Sequence, residues 1–353
     1  MKKLIALLLV LIMVCTMVAC GSKKDETLYI PVMAKGFQHQ FWQAVKAGAD
    51  AAAEEYGVEI YFDGPASETE IAAQVNMIEQ EMAKGPKAMA LAALDTSAVA
   101  DILDECADKK IPVIGFDSGV PGDTSGAVKA TACTNNEAAA AIAAEKFGEN
   151  ADLVAKMQAA TADAPVRIAV LSQDAVSASV MGRTTGFVNK MVEVAGAYGT
   201  VSVEGHPTWA NEVAGASIIV DVAVSATTEA VDVQNSANAL LAKADLAAVF
   251  CSNEGTVTGF LSAVSDGEDL ADGGKYADLI VAGFDAGAAQ KNAVRNGWFY
   301  GSVTQDPYHI GYYAVEMAVA AAKGEAVADK DTGAQWYNAE NIDDPMIALL
   351  VYD

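Results

Sequence analysis

Six places in the chain gather side chains suited to hydroxyl groups: Lys35, Gly36, His39, Phe41 and Trp42; Asp117 and Ser118; Ser172 and Gln173 ahead of Arg183; Asn253 with Glu254; Asp285; and Gln305. Asp, Asn and Gln offer acceptors and donors, arginine adds two adjacent donors in a fixed fork, and aromatic rings stack on C–H faces. That mixture suits a polyol or a sugar. It does not suit the common catalytic plans, and an enzyme is not expected. No Gly-x-Gly-x-x-Gly follows the first strand candidate, no Gly-x-Ser-x-Gly elbow occurs, and no carboxyl pair can be matched to a water site. The three histidines and five cysteines show no His-x-x-x-His or Cys-x-x-Cys spacing, so neither a metal centre nor a redox dithiol is expected, and no cofactor is called for.

Alternating strands and helices must position these groups. Runs rich in branched residues, or closed by Gly and Pro, predict strands at 27–33, 58–63, 88–94, 112–117, 166–172, 217–224, 246–251 and 278–284. Between them, Phe41, Val45, Ala49, Ala52 and Tyr56 recur at helical spacing over 41–56, as do Ile71, Val75, Ile78 and Met82 over 69–84. Ser67 and Glu70 predict a capping box at the start of the second helix. Strand, helix, strand repeated in this way predicts an α/β fold of doubly wound parallel sheets with helices on both faces. Such sheets bind ligands at the carboxyl ends of their strands, where the polar and aromatic residues fall.

At 353 residues the chain is long for one core and suits two domains. Its 22 basic and 47 acidic residues give a net charge of −25, which excludes nucleic acid as a partner, while 52% hydrophobic residues exclude a disordered acidic tail. Met1-Lys2-Lys3 and the apolar run Leu4 to Val18, closed by Ala19, read as an export signal over 1–19. The run is shorter than the roughly 20 residues of a membrane-spanning helix. Cleavage before Cys20 resembles bacterial lipoprotein processing, so Cys20 is expected to carry lipid and 20–26 to form a tether to the outer face of the cell membrane. The remaining Cys106, Cys133 and Cys251 are odd in number and lie among apolar neighbours, which predicts buried free thiols. The acidic stretch from Asp266 to Asp278 lacks EF-hand spacing and reads as a solvated loop.

The runs FWQAVKAGAD (41–50), DGPASETEIAAQV (63–75), IPVIGFDSGV (111–120), RTTGF (183–187), VFCSNE (249–254), VAGFDA (281–286) and VTQDPYHIGYYAVE (303–316) occur in one characteristic order. Together they resemble the ribose-binding type of solute-binding protein that serves ATP-driven sugar importers, over nearly all of the chain after the signal. The resemblance implies two similar lobes joined by a three-strand hinge, with a sugar or polyol trapped between them on closure. Lobe one would be 27–132 plus 307–332, and lobe two 134–305 plus 334–353. It implies permease subunits as partners and a monomeric receptor. A sugar-sensing receptor that docks on a chemotaxis or sensor-kinase protein is the alternative use of the same design.

Carried over residue by residue, Phe41 and Trp42 fall on the paired stacking aromatics, Asp117 on the carboxylate after the fourth strand, and Arg183 on the sugar-gripping arginine. Asn253, Asp285 and Gln305 match the remaining polar contacts. Three ligand positions depart from the ribose pattern: Lys35 stands for a small hydroxyl residue, Ser118 for an arginine and Thr227 for an aromatic. Ribose itself is therefore disfavoured, Lys35 invites an acidic or phosphorylated sugar, and Trp209, in an insertion ahead of the 217–224 strand, is a candidate for the missing ring. Plainer roles are also open. Asp117 and Asp285 suit helix caps, Arg183 a surface ion pair, Lys35 a partner for Asp117, and the adjacent Phe41 and Trp42 cannot share one helical face.

Overall fold

The structure, a computed structural model, describes residues 27–352. The signal segment 1–19 and the tether 20–26, with Cys20, lie outside the described residues.

In chain order the first half holds β1 (Tyr29–Met33), α1 (Gln40–Tyr56), β2 (Glu59–Asp63), α2 (Ile71–Ala83), β3 (Met89–Leu91), α3 (Ala100–Asp108), β4 (Val113–Phe116) and β5 (Val128–Cys133). There follow α4 (Asn136–Glu149), α5 (Ala151–Ala159), β6 (Val166–Ser172), α6 (Ala178–Gly196), β7 (Val201–Gly205), β8 (Ile218–Val224), α7 (Ala230–Leu241) and β9 (Leu246–Cys251). The last part is α8 (Glu254–Ala263), β10 (Ile280–Phe284), α9 (Ala288–Arg295), β11 (Gly301–Gln305), α10 (Pro307–Ala322), β12 (Lys330–Asp331), β13 (Ala334–Tyr337) and α11 (Pro345–Ala348).

Two sheets result, ordered β12-β5-β4-β3-β1-β2 and β13-β11-β10-β9-β6-β8-β7. All strand pairs are parallel except β11 with β13. The central strands are buried on both faces, as parallel strands under crossover helices must be. In β6, Ile168 and Val170 pack into one core cluster while Ala169 and Leu171 pack into another, the period of two splitting one strand between two helix layers. The order of strands reverses at β1 in one sheet and at β6 in the other, so the crevices at their carboxyl ends are where side chains from several loops converge.

The chain passes between the sheets at 134–135, at Asp306 and at 332–333. Asp306 caps α10 through His309 N (3.0 Å), with Pro307 at its first turn. Thr134 Oγ1 lies 3.3 Å from Thr332 Oγ1 and donates to Gly333 O (3.2 Å), tying two of the crossings together. Tyr352 adds a further bridge: its ring meets Phe41 on the first lobe while its hydroxyl accepts from Ala286 N of the second.

Two local expectations are corrected. Helix α2 begins at Ile71 without a side-chain cap; Ser67 turns away and bonds Thr69 Oγ1 (2.9 Å) and the Glu229 carboxylate of the other lobe (2.8 Å). Gln74 on the same helix instead fixes the site loops. Buried, it donates to Ala34 O and Ala92 O and accepts from Leu94 N, each at 2.9 Å, so one amide holds the chain after both β1 and β3. The insertion carrying Trp209 packs back on the second lobe, where its Nε1 donates to Thr185 Oγ1 (2.9 Å). Trp209 therefore does not supply a ring to the cleft. Cys106 and Cys251 are buried free thiols, and Cys133 is free and half-buried.

Helices α1 and α10 cross backbone to backbone. A Cβ at Gly48 would lie 1.8 Å from Tyr308 O, and one at Gly311 1.9 Å from Val45 O. Neither helix can yield without opening the first lobe. Gly48→Ala is expected to lower stability by ~2 kcal/mol, overpacking outweighing the gain in helix propensity, and urea unfolding reads it directly. An unchanged midpoint would mean that the crossing is not close.

Candidate functional site

The residues that line the space between the lobes come from the ends of strands in both sheets: Lys35, His39, Phe41, Trp42, Glu68 and Asp117 from one, and Val180, Arg183, Asn253, Glu254, Asp285 and Gln305 from the other. Their positions follow from local backbone chemistry. Asp117 and Asp285, each directly after a strand, adopt left-handed φ of 52° and 77°. That conformation costs energy for a residue with a Cβ, and aspartate tolerates it better than most. Neither residue caps the helix that follows it in the chain. The carboxylate of Asp285 accepts from Gln305 Nε2 (2.6 Å), Glu254 N (3.0 Å) and Arg183 Nη1 (3.4 Å), while Asp117 pairs with Lys35 Nζ (3.2 Å).

Arg183 is only 3% exposed, so it is no surface ion pair. Its guanidinium lies over the Phe284 ring, 4.0 Å from the centroid, while Nε donates to Asn136 Oδ1 (2.8 Å) and Nη1 to Ser252 O (3.2 Å). All these partners belong to the second lobe. The other terminal nitrogen, Nη2, faces the first lobe, 4.0 Å from Asp117 Oδ1, too far for a direct hydrogen bond. Asn253 caps α8 through Thr256 N (3.0 Å) and sends its amide to Gln173 Oε1 (2.7 Å).

Two carboxylates complete the cage. Glu68 accepts from Trp42 Nε1 (2.9 Å) and from Gln173 Nε2 (2.7 Å) of the opposite lobe. Glu254 of the second lobe accepts from Gln40 N and Phe41 N (both 3.2 Å), sitting on the positive N-terminus of α1. Burial would raise Glu68, but Lys35, His39 and its two donors hold it below the ordinary range; Glu254 is pushed up by burial. Burial likewise opposes the Lys35 ammonium, yet Asp117, Glu68 and Asp174 together hold its pKa above the usual value. Among these residues, four carboxylates face two permanent cations, and Lys35 also donates to Ser179 Oγ (3.2 Å). Lys35, expected to invite an acidic or phosphorylated sugar, is thus already engaged by Asp117 and Ser179.

Of the ten ligand residues expected from sequence, eight line the cage. Ser118 sits just behind it, bonding Asp117 Oδ2 (3.1 Å) and Ser179 Oγ (2.9 Å). Thr227 lies outside, in an exposed turn where Oγ1 donates to Asp232 Oδ2 (2.6 Å). Glu68, Ser179 and Asn136 were not singled out by sequence, although Glu68 lies inside the 63–75 run. Phe41 and Trp42 are both buried, against the argument from helical faces.

The cage is small, about 20 Å³, little more than one water. Direct bonds join the lobes around it: Lys35 to Ser179, Gln173 to Glu68, and the α1 backbone to Glu254. Two lobes that meet through a dense set of replaceable polar bonds define a bilobed binding protein. Residues 30–326 match the family described as periplasmic binding protein domain, and the chain belongs to that family.

The chain is 24% identical over 331 residues to the ribose import binding protein RbsB of Salmonella typhimurium, covering 94% of this chain and 96% of that one. Among solved structures it is similar to an ABC transporter protein described as a LacI family transcriptional regulator from Brachyspira murdochii, with 41% identity, a TM-score of 0.77, and 93% and 99% of the two chains covered. It is also similar to solute-binding proteins from Agrobacterium vitis with bound D-fucose (28% identity, TM-score 0.74, 92% and 100% covered) and from Agrobacterium radiobacter with D-arabinose (27%, 0.74, 93% and 100%).

Proposed function

We propose that the protein is the extracytoplasmic solute-binding component of an ABC importer, and that it captures a neutral sugar or polyol by closing its two lobes and delivers it to a membrane permease. The observation that carries this reading is the Arg183–Asp285–Gln305 and Lys35–Asp117 constellation, set beside the Trp42 ring at the carboxyl ends of both sheets. Relatives over nearly the full chain hold D-fucose and D-arabinose. The excess of carboxylates disfavours sugar acids. Closure is a rotation of the lobes 27–132 plus 307–332 and 134–305 plus 334–353 about the three crossings, selected by a ligand that bonds both lobes at once.

A thermal-shift panel of pentoses, hexoses, polyols and sugar acids tests this. A ligand present at 100 times its Kd stabilises the native state by about 2.7 kcal/mol. Neutral members are expected to raise the Tm and sugar acids to leave it unchanged; a panel in which nothing shifts removes the sugar reading.

Among the described residues no helix is long and apolar enough to cross a membrane. Attachment is assigned to lipid on Cys20, on the strength of the apolar run and small residue before it. Cys20→Ser is expected to release the mature protein into the soluble extracytoplasmic fraction with its fold unchanged. Equal membrane retention of the variant would refute the anchor.

A further inference from the structure

Beside the cage a second and larger hollow, open to solvent on one side, runs between the lobes, with about 280 Å³ against about 20 Å³ in the cage itself. Leu94 and Ile71 of the first lobe and Val176 of the second give it apolar wall, and Thr69, Ser225 and Thr228 give it hydroxyls. Glu68 and Gln173 stand between it and the cage. Glu68 lines both spaces, and Gln173 Nε2 donates to it at 2.7 Å while Gln173 Oε1 accepts from Asn253 in the cage. This partition takes one residue from each lobe, so it opens whenever the lobes part.

The second observation is independent of the cavity. Ser225 Oγ and Thr228 Oγ1 are buried and have no hydrogen-bond partner among the described residues, although buried hydroxyls nearly always find one. Both residues belong to the wall of the chamber, and a hydroxyl changes direction by a single χ1 step. Apolar patches alternating with unspent hydroxyls match the two faces of a sugar ring, C–H on one side and O–H at the rim.

We propose that this chamber is a second sugar subsite and that the ligand is a disaccharide: one ring in the cage, the other in the chamber, with the glycosidic link passing where Gln173 now meets Glu68. The proposal rests on the sugar-binding reading of the cage. Ser225 and Thr228 are the specificity-determining hydroxyls, and Ala226, exposed at the chamber mouth, is where the subsite can be blocked without touching the cage.

Calorimetry with lactose, melibiose, maltose, cellobiose and xylobiose, each beside its component D-glucose, D-galactose or D-xylose, tests it. At least one disaccharide is expected to bind tenfold or more tighter than its best component. Ala226→Trp is expected to abolish that gain while monosaccharide affinity stays within twofold, and Ser225→Ala with Thr228→Val is expected to erode it. Disaccharides no tighter than their components, or an Ala226→Trp loss shared equally by both, overturn the subsite and leave the sugar reading standing. Absence of binding by every sugar overturns both.

Discussion

Trp42→Ala is expected to cost 3–5 kcal/mol of folding stability, the range for truncating a fully buried aromatic, and to weaken sugar binding as well. The ring is 1% exposed, packs edge-on against Phe41 and Phe116, and donates through Nε1 to Glu68. It is thus both core of the first lobe and wall of the cage. Truncation opens a cavity and takes a donor from a buried carboxylate, which keeps only Gln173 and the nearby cations. Trp42→Phe separates the two losses: it retains most of the apolar volume and forfeits the N–H, so ~1–2 kcal/mol is expected. Urea unfolding measures both variants. A midpoint for Trp42→Ala within 1 kcal/mol of wild type would show that the lobe does not depend on this ring.

The pairing of Phe41 with Trp42 also shows where sequence reading stops. Adjacent residues cannot share one helical face, and from the periodicity alone one of them is left without a core. In the fold, the start of α1 is covered from two sides. Trp42 packs on its own sheet at Phe116, and Phe41 meets Tyr352 from the C-terminal stretch. Strands such as β6 and β8 were legible because branched residues crowd them. By contrast β5 (VKATAC) and β11 (GSVTQ) are built of small and polar residues, and sheet neighbours rather than propensity make them strands. Glu68 was opaque for a related reason: besides Trp42, the group that satisfies it is Gln173, on the opposite lobe. Thr227 falls on an aromatic position of the ribose pattern, but the turn before α7 carries it into the Asp232 contact instead.

Arg183 is the residue on which the cage most depends, and the structure changes how its loss should be read. The sequence suggested a fork offered to two ligand hydroxyls. Here Nε and Nη1 are committed to Asn136, Ser252 and Asp285, all within the second lobe, and the plane rests on Phe284. The fork positions the arginine, and Nη2 is the nitrogen turned toward the cage and Asp117. Arg183→Ala leaves Asn136 and the Ser252 carbonyl without their donor, while Asp285 keeps Gln305 and Glu254 N, so the lobe still folds. Affinity for the sugar found in the thermal-shift panel is expected to fall by 2–4 kcal/mol, about 30- to 1000-fold. Arg183→Lys restores a charge but cannot reach Asn136, Asp285 and the ligand from one ammonium, so it recovers little of the loss. Calorimetry on the two variants decides. If Arg183→Lys binds within twofold of wild type, a point charge suffices at this position and the planar fork held by the second lobe is not what grips the ligand.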